Sequence, residues 1–326
     1  MRAARMVELG RMACEEITVP PPQPGELLVR NDLSAICGSD LHIIFLGVMP
    51  RHDGPPHGWP GHEGVGEVVE SRDENFKPGD LVLTCPSGPL ARCFADFQTI
   101  PGAMCLKLPA YDGPVEHLLM AQQFGTTIFA LRRGNFDFTG KTVMVMGQGS
   151  AGCFFAYQAK RYGAAKVIVS DLSEMRLAQA RVTGADVAVK ADASGENVKA
   201  AVMDHTAGEG VDILIEAVGR SDALLQSVDL VRSGADLVYF GIPETSEPVP
   251  YNFHDFFRKK LRAYAVHGTQ FEPGLVSFKT ALNWIANKEI DVSGLISHRI
   301  SIERIDEAMH VANDPIDSAR KVTITF

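Results

Sequence analysis

The sequence predicts an α/β protein in which a block of alternating strands and helices interrupts a β-rich domain. Residues 1–123 are rich in glycine and proline and hold short apolar runs separated by turn signals. From about residue 124 to residue 266, apolar strands alternate with helical stretches, which is typical of parallel βαβ units. The remaining residues return to helices and a closing strand. We therefore expect one domain from residues 1–123 and 267–326, and a second domain from residues 124–266.

The individual elements follow from apolar runs and their periodicity. In the first segment the predicted strands are ELLVRNDLSAI, GVGEVVES and DLVLTC, with PPPQPGE and FKPGD as turn signals. In the inserted block the predicted strands are KTVMVMG, KVIVSD, DILIEAV and DLVYFG, and the predicted helices are SAGCFFAYQAKRYG, SEMRLAQARVTG and DALLQSVDLVRSG. In the last segment two helices, VSFKTALNWIANKEI and IERIDEAMHVAND, precede the strand KVTITF.

Composition narrows the class of protein. The 326 residues are 45% hydrophobic and 22% charged, and the formal net charge of −9 argues against a nucleic-acid partner. No apolar run is long enough to span a membrane, and the N-terminus lacks the apolar core of a secretory signal. The six cysteines are scattered and form no CxxC pair. We expect reduced thiols and a cytoplasmic protein.

A glycine motif marks a dinucleotide site. The pattern G-x-G-x-x-G falls at Gly147, Gly149 and Gly152, between an apolar strand and an amphipathic helix. Such a loop presents free backbone N–H groups to a pyrophosphate at the helix N-terminus. The first glycine permits the tight turn, the second lets the backbone approach phosphate, and the third allows helix and strand to pack closely. The expected contacts are the whole loop, Gly147, Gln148, Gly149, Ser150, Ala151 and Gly152.

Further cofactor contacts are expected after the neighbouring strands. Asp171 ends the next strand, where an acid accepts hydrogen bonds from the adenosine ribose and repels a 2′-phosphate, so NAD is favoured over NADP. Arg176 lies five residues further on and is an alternative partner for such a phosphate. Because ligands bind at the carboxyl ends of parallel strands, the nicotinamide half is expected against the turns EAVG and FGIP, at Ala217, Val218, Gly241 and Ile242.

The stretch ICGSDLH and the later GHEGVGE hold candidate metal ligands. Cys37 and His62 are ligand types that suit zinc, and Glu63 adjoins His62. Asp40 suits a supporting role behind a histidine ligand, and Ser39 with His42 offers a hydroxyl and an imidazole to pass a proton. From the residues alone, a packed thiol and a structural histidine remain the alternative to zinc.

Taken together, several segments resemble one family. ICGSDLH, PGHEGVGEVVE, FKPGD, GQGSAG, VSD, SHRISIERIDEAM and RKVTITF occur in the order typical of zinc-containing alcohol dehydrogenases of the medium-chain dehydrogenase/reductase family. The resemblance implies a GroES-like β-barrel catalytic domain interrupted by a Rossmann domain. It also implies zinc ligands at Cys37 and His62 with Glu63 beside them, a proton relay through Ser39 and His42, and a supporting role for Asp40.

The chain departs from this family at two places. The four closely spaced cysteines of a structural zinc are missing, because only Cys85 and Cys93 occur there, so we expect packed thiols and no structural zinc. The family's third ligand falls on Gln122, which is a poor zinc ligand. Polyol-type members hold zinc with Cys, His and the adjacent Glu plus water. We therefore expect one catalytic zinc on Cys37, His62 and Glu63, with Gln122 touching the water.

The sequence thus predicts an NAD-dependent, zinc-dependent oxidoreductase that interconverts an alcohol, of the secondary or polyol type, and its carbonyl compound. Two alternatives stay open: a zinc-free reductase of quinones or activated double bonds, and an inactive binding protein with the same fold. Phe45, Met49 and Trp59 either line an apolar substrate pocket or pack beneath their loop. A homodimer or homotetramer is expected from the resemblance and from edge strands such as DLVYF that need covering.

Overall fold

The computed structural model describes residues 1–48, 56–314 and 319–326. The chain divides into two compact units. Unit 1 comprises Met1–Thr126, Gly268–Asp314 and Lys321–Phe326, and unit 2 comprises Thr127–His267 and Pro315–Arg320. None of the helices in the described ranges is long and apolar enough to cross a membrane.

The first part of the chain is built of short strands with few helices. A β1–β2 hairpin opens the chain, and a π-helical turn, His42–Leu46, directly follows the first helix. The elements are β1 (Arg2–Glu8), β2 (Arg11–Glu16), β3 (Glu26–Ala35), α1 (Gly38–Leu41), β4 (Glu63–Ser71), β5 (Leu81–Thr84), β6 (Phe97–Pro101), β7 (Cys105–Lys107), α2 (Val115–Leu119) and α3 (Ala121–Gly134).

The inserted block alternates strands and helices. Its elements are β8 (Thr142–Met146), α4 (Ser150–Arg161), β9 (Lys166–Asp171), α5 (Glu174–Thr183), β10 (Val187–Lys190), α6 (Glu196–His205), β11 (Val211–Glu216), α7 (Ser221–Ser227), β12 (Val231–Tyr239), α8 (Phe253–Arg258) and β13 (Arg262–Ala265). Within the described residues its strands pair in parallel, in the order β10-β9-β8-β11-β12-β13. Its core includes Met144, Ile168, Leu214 and Leu237 from four adjacent strands.

Local sequence explains where these helices begin and end. The Ser173 hydroxyl accepts a hydrogen bond from the Arg176 N–H, which caps the first turn of α5, and Gly184 follows its last residue with a positive φ of 127°. Gly149 precedes α4 in extended conformation, so the helix starts directly after the glycine motif. The glycine loop and the N-terminus of α4 therefore form one continuous segment after β8.

The last part of the chain completes the sheet of unit 1. Its elements are α9 (Val276–Ala286), β14 (Ile296–Ser301), α10 (Ile305–Asn313) and β15 (Lys321–Thr325). Among the described strands the order is β14-β15-β3-β4-β5-β7, with β6 also pairing β3. Part of the core on this sheet consists of Leu27, Val29, Val68, Val82 and Ile100. Strand β15, from the end of the chain, thus pairs with β3 from the first segment and extends its sheet.

Two predictions for the inserted block need correction. The helix expected for DALLQSVDLVRSG ends at Ser227, and Val231 already begins β12, because this apolar stretch pairs with β11 and β13. The segment DLVYF is therefore no edge strand: its first four residues belong to β12, which lies between β11 and β13. The edge on that side is β13, which the sequence analysis missed.

Candidate active site

Three side chains with metal-binding atoms lie together beside β3 and β4. Cys37 follows β3 closely, whereas His62 and Glu63 lie at the start of β4. Antiparallel pairing places Ala35 opposite Glu63, which brings the two segments side by side. One ligand atom from each of Cys37, His62 and Glu63 lies within 4.8 Å of the other two. We call these residues the candidate zinc cluster; it is the one such group found in the part of the chain that the structure describes.

The imidazole of His62 is held so that one nitrogen faces the cluster. Its Nδ1 lies 3.0 Å from Asp40 Oδ1 and 3.2 Å from the Pro60 carbonyl oxygen. Its Nε2 lies 3.4 Å from the Ser39 hydroxyl oxygen. Burial lowers the pKa of His62, but the charges and hydrogen bonds of Asp40 and Cys37 together raise the pKa well above its ordinary value. Nε2 is therefore the nitrogen available to a metal, with a carboxylate behind the ring.

Asp40 also fixes the backbone next to the thiol. It is the third residue of α1 and is fully buried. Its Oδ2 accepts a hydrogen bond of 2.9 Å from the N–H of Cys37, while Oδ1 faces His62. One carboxylate therefore positions two members of the cluster, which is the supporting arrangement that the resemblance implies.

The third member, Glu63, is paired with a lysine that the sequence analysis did not single out. Lys321 Nζ donates to Glu63 Oε2 at 2.8 Å and to the Ile36 carbonyl oxygen at 3.1 Å. Both side chains are almost fully buried, with 2% of Lys321 and 1% of Glu63 exposed. The other carboxylate oxygen, Oε1, is buried and has no hydrogen-bond partner among the described residues. A buried oxygen in this state is costly unless another group satisfies it.

These residues fit a catalytic zinc ion. Zinc takes thiolate, imidazole and carboxylate ligands, and a catalytic site keeps a further position open. The cluster offers one group of each kind, and the unpartnered Glu63 Oε1 is the carboxylate oxygen that a cation would satisfy. The kinds of ligand atom and the unpartnered oxygen therefore both fit a bound zinc ion.

The glycine loop, residues 147–152, has the geometry expected of a dinucleotide site. Gly147 has a φ of 85°, which favours glycine, and its N–H donates to the Ser170 carbonyl oxygen at 2.8 Å. A Cβ at position 152 would lie only 1.9 Å from the Gly147 carbonyl oxygen, so the helix approaches the loop more closely than any other residue would allow. A Cβ at position 149 would meet no atom of the described residues within 4 Å. The space beside Gly149 is therefore open.

The acid at the end of β9 reaches back to this loop. Asp171 Oδ2 accepts a hydrogen bond of 2.6 Å from the Gln148 N–H, and Oδ1 accepts one of 2.8 Å from the Ser173 N–H. The Gln148 side chain is buried, and its Nε2 donates to the carbonyl oxygens of Val145 and Gly147. Gln148 therefore shapes the loop from inside, and Asp171 stands between the loop and the start of α5.

The turns after β11 and β12 pack against each other at the same edge of the sheet. A Cβ on Gly219 would lie 2.0 Å from the Ile242 carbonyl oxygen, and one on Gly241 would lie 2.1 Å from the Gly219 nitrogen. A Cβ on Gly147 would lie 2.8 Å from a methyl carbon of Val218, so the glycine loop is their neighbour. The structure therefore brings together the loop and both turns that the sequence singled out.

Comparison with known proteins agrees with both parts of the site. Residues 23–124 match the model of the alcohol dehydrogenase GroES-like domain, and residues 151–287 match that of zinc-binding dehydrogenase. L-threonine 3-dehydrogenase of Sinorhizobium medicae is 29% identical over 92% of each chain, and sorbitol dehydrogenase of Bacillus subtilis is 27% identical over 96% of this chain and 93% of that one. A crystal structure of an alcohol dehydrogenase from Thermus sp. ATN1 is 25% identical, covers 100% of this chain and 99% of that one, and superposes with a TM-score of 0.82.

The chain belongs to the zinc-containing alcohol dehydrogenase branch of the medium-chain dehydrogenase/reductase family. The predicted fold class, a GroES-like domain combined with a Rossmann domain, is confirmed. Membership implies zinc and a nicotinamide cofactor.

Gln122 lies beside the candidate zinc cluster of this dehydrogenase. It is the second residue of α3, it is 1% exposed, and its Nε2 donates to the His62 carbonyl oxygen at 3.2 Å. The side-chain amide therefore fixes the backbone between two expected ligands. Its contact with a water at the metal stays a prediction.

Ser39 and His42 lie on consecutive helical turns of the dehydrogenase. Ser39 belongs to α1, and His42 begins the π-helical turn that continues it. Residues three apart on a helix face the same side, which suits transfer between them. The Ser39 hydroxyl is the member of this pair beside the His62 ring. The relay itself stays a prediction.

Arg176 is held by two groups of the protein. Its Nε donates to the Ala319 carbonyl oxygen at 3.0 Å, and its Nη1 lies 4.0 Å from Asp171 Oδ1. Asp171 therefore faces a cation of its own chain. This arrangement makes the guanidinium less available to a 2′-phosphate than its place in the sequence suggested.

The sequence analysis did not single out two buried charged residues of this region. One is Lys321, and the other is Glu216 at the end of β11. Glu216 Oε1 accepts hydrogen bonds from the N–H groups of Val218 and Gly219, at 2.6 and 2.8 Å. Burial raises the pKa of Glu216, and these two N–H groups offset part of that rise. The only signal for Glu216 in the sequence was its position as an acid at the end of an apolar strand.

The apolar residues proposed for a substrate pocket have protein contacts. The Phe45 ring packs edge-on against His310 of α10, with ring centroids 5.1 Å apart, and a Cβ at Gly10 would lie 3.6 Å from it. Trp59 is buried, with 6% of its surface exposed. These contacts favour the packing interpretation for both residues; Met49 lies outside the described residues. Cys85 and Cys93 are also fully buried, and burial raises the pKa of both thiols, that of Cys93 to about 11.

We predict different effects for alanine at two positions of the glycine loop. Gly149→Ala should leave the melting temperature unchanged, because no protein atom opposes the new methyl group, yet weaken NADH binding by roughly tenfold, about 1.4 kcal/mol. Gly152→Ala should lower both the melting temperature and NADH affinity, because its methyl group collides with the Gly147 carbonyl. Fluorescence titration and thermal unfolding measure the two quantities. Undiminished NADH affinity in Gly149→Ala would contradict a pyrophosphate at this loop.

Proposed function

We propose that this dehydrogenase interconverts a secondary alcohol or polyol and its carbonyl compound with NAD(H) and one zinc ion. The observation that carries the proposal is the candidate zinc cluster, Cys37, His62 and Glu63, with one buried carboxylate oxygen left unpartnered. Sorbitol and threonine, the compounds in the names of two relatives, both carry secondary hydroxyl groups. This common feature supports the substrate class.

The residues of unit 1 would prepare the substrate oxygen. Zinc bound at the cluster supplies a Lewis acid that polarises this oxygen and favours loss of its proton. Asp40, 3.0 Å from His62 Nδ1, would keep a proton on that nitrogen and so direct Nε2 into the site. Ser39 would accept the proton of the substrate hydroxyl, and His42 would pass it towards water, because an imidazole exchanges protons near neutral pH.

The residues of unit 2 would hold the cofactor. The N–H groups at the start of α4, at Ser150 and Ala151, would meet a pyrophosphate, which the open surroundings of the Gly149 Cα support. Asp171 would accept the adenosine ribose hydroxyls and disfavour a 2′-phosphate, which supports NAD over NADP. Ala217, Val218, Gly241 and Ile242 would offer backbone groups to the nicotinamide half. The expected division at residues 1–123 with 267–326 and at 124–266 assigns these two roles to two domains.

The function is tested on protein purified without chelators. We expect about one zinc per chain by elemental analysis, and reduction of NAD with some members of a panel of secondary alcohols and polyols. The kcat/KM should be higher with NAD than with NADP. Glu63→Ala should weaken zinc retention.

Each contrary outcome of that experiment points to a specific alternative. Activity in protein that holds no metal would replace the proposal with a zinc-free reductase. Absence of turnover with the whole panel, in protein that binds NADH, would indicate an inactive binding protein. A higher kcat/KM with NADP would overturn the role of Asp171 and point to Arg176.

We predict that Ser39→Ala lowers turnover by about 10²–10⁴-fold, which is the usual contribution of a general acid–base group. The change should spare NADH affinity, because Ser39 lies in unit 1 and the glycine loop in unit 2. Ser34→Ala is a suitable control, since this serine is buried on β3 and has no proposed role in catalysis. Equal turnover in Ser39→Ala and the parent protein would show that the hydroxyl does not carry the proton.

Assembly and location are also proposals. We propose a homodimer or homotetramer in the cytoplasm, and the strand that needs covering is now β13, where Arg262, Ala263 and Ala265 are exposed. Light scattering at micromolar concentration tests the assembly, and a monomeric mass would count against it. Cell fractionation tests the location.

A further inference from the structure

The buried Lys321–Glu63 pair joins the two chain segments that carry the candidate zinc cluster. Lys321 is the first residue of β15, and its ammonium contacts Glu63 on β4 and the carbonyl oxygen of Ile36, the neighbour of Cys37. The Ile36 N–H in turn donates to the Val322 carbonyl oxygen at 3.0 Å. Lys321 therefore reaches the cluster from a third strand and is fixed there by both its side chain and its neighbour's backbone.

The Lys321 ammonium contacts only one of the two carboxylate oxygens of Glu63. Glu63 Oε2 lies 2.8 Å from Lys321 Nζ, whereas Oε1 has no partner in the part of the chain that the structure describes. A cation at the cluster would therefore meet a carboxylate that offers a single oxygen. It would also meet a ligand whose negative charge is already balanced by a buried positive charge, and opposite charges at this distance interact strongly when water is excluded.

On the proposed zinc site, we propose that Lys321 is a positioning residue that holds Glu63 as a one-oxygen ligand and lowers the affinity of the cluster for zinc. The gain for the enzyme is a site that remains more positive with its metal bound, and so favours an anionic substrate oxygen. Lys321 would also stabilise the metal-free protein, because a buried carboxylate left without a partner is costly.

The test is zinc binding to the full chain, measured by competition with a chromophoric chelator in the absence of substrate and cofactor. Lys321→Met removes the charge at similar side-chain length, and we expect zinc to bind about tenfold more tightly or better, because the charge of the ligand set then opposes the cation less. Lys321→Arg keeps the charge and should stay within about threefold of the parent protein. Lys321→Gln, which is also neutral, replaces the methionine variant if that one does not fold.

Two further measurements separate this role from simple packing. The metal-free Lys321→Met protein should lose more melting temperature than the zinc-loaded one, whereas a packing role lowers both equally. Cobalt(II) substituted for zinc should absorb less visible light in Lys321→Met, because a carboxylate bound through both oxygens raises the coordination number. Lys107→Met is a matched control: it breaks an exposed lysine–carboxylate pair with Asp80 of the same 2.8 Å length and should change neither result.

The inference and the proposed function can fail separately. Zinc affinity in Lys321→Met that equals or falls below the parent value overturns the inference, whatever the activity. Tighter zinc binding in a protein that oxidises no alcohol supports the inference and removes the proposed function. If both hold, kcat for alcohol oxidation should fall in Lys321→Met and recover in Lys321→Arg, while the KM for NAD stays unchanged.

Discussion

Pairing of β3 with two partners is the interaction on which the metal site depends. Strand β3 pairs with β4 on one side and with β15 on the other, so residues near positions 36, 63 and 321 become neighbours. Side chains alternate between the two faces of a strand, and a slip of one residue in either pairing would turn Glu63 or Lys321 away from Cys37. The pairing of these three strands therefore brings together the Glu63 carboxylate, the Lys321 ammonium and the Ile36 carbonyl oxygen.

In unit 2 the equivalent constraint is the close approach of loops rather than the pairing of strands. The glycine loop and the turns after β11 and β12 approach each other so closely that a Cβ at Gly152, Gly219 or Gly241 would overlap backbone atoms. Glu216 and Asp171 then fix these loops by accepting backbone N–H groups, so each acid is partly committed to its own chain. A surface assembled from such contacts is stiff. Stiffness suits a site that must hold a long, flexible dinucleotide in one orientation.

The sequence was sufficient for the parts of the molecule that local pattern encodes. Strand and helix periodicity predicted β8, α4 and β9, and glycine spacing predicted the loop between the first two. Resemblance to a family supplied the candidate zinc cluster, which spacing alone left open. The α7–β12 boundary was misplaced, because a short helix followed by an apolar strand looks like one longer helix until the pairing of β12 with its neighbours is known. Lys321 escaped notice for a different reason: its partner Glu63 lies 258 residues away, and a lysine at the start of a strand normally points to water.

Charge balance connects the two departures of this site from a simple metal-binding triad. Position 122 carries a neutral amide that is committed to the His62 carbonyl oxygen, and Lys321 balances the charge of Glu63. With zinc on a Cys37 thiolate, His62 and Glu63, two negative charges face a dication, and the lysine adds one positive charge. Asp40 behind His62 adds one more carboxylate, so these charges sum to zero before any substrate arrives, and an acid at position 122 would make the sum negative. An alcohol that loses its proton adds a negative charge, so on the proposed mechanism the lysine and the neutral amide at position 122 keep the protein from opposing the anionic form of the substrate.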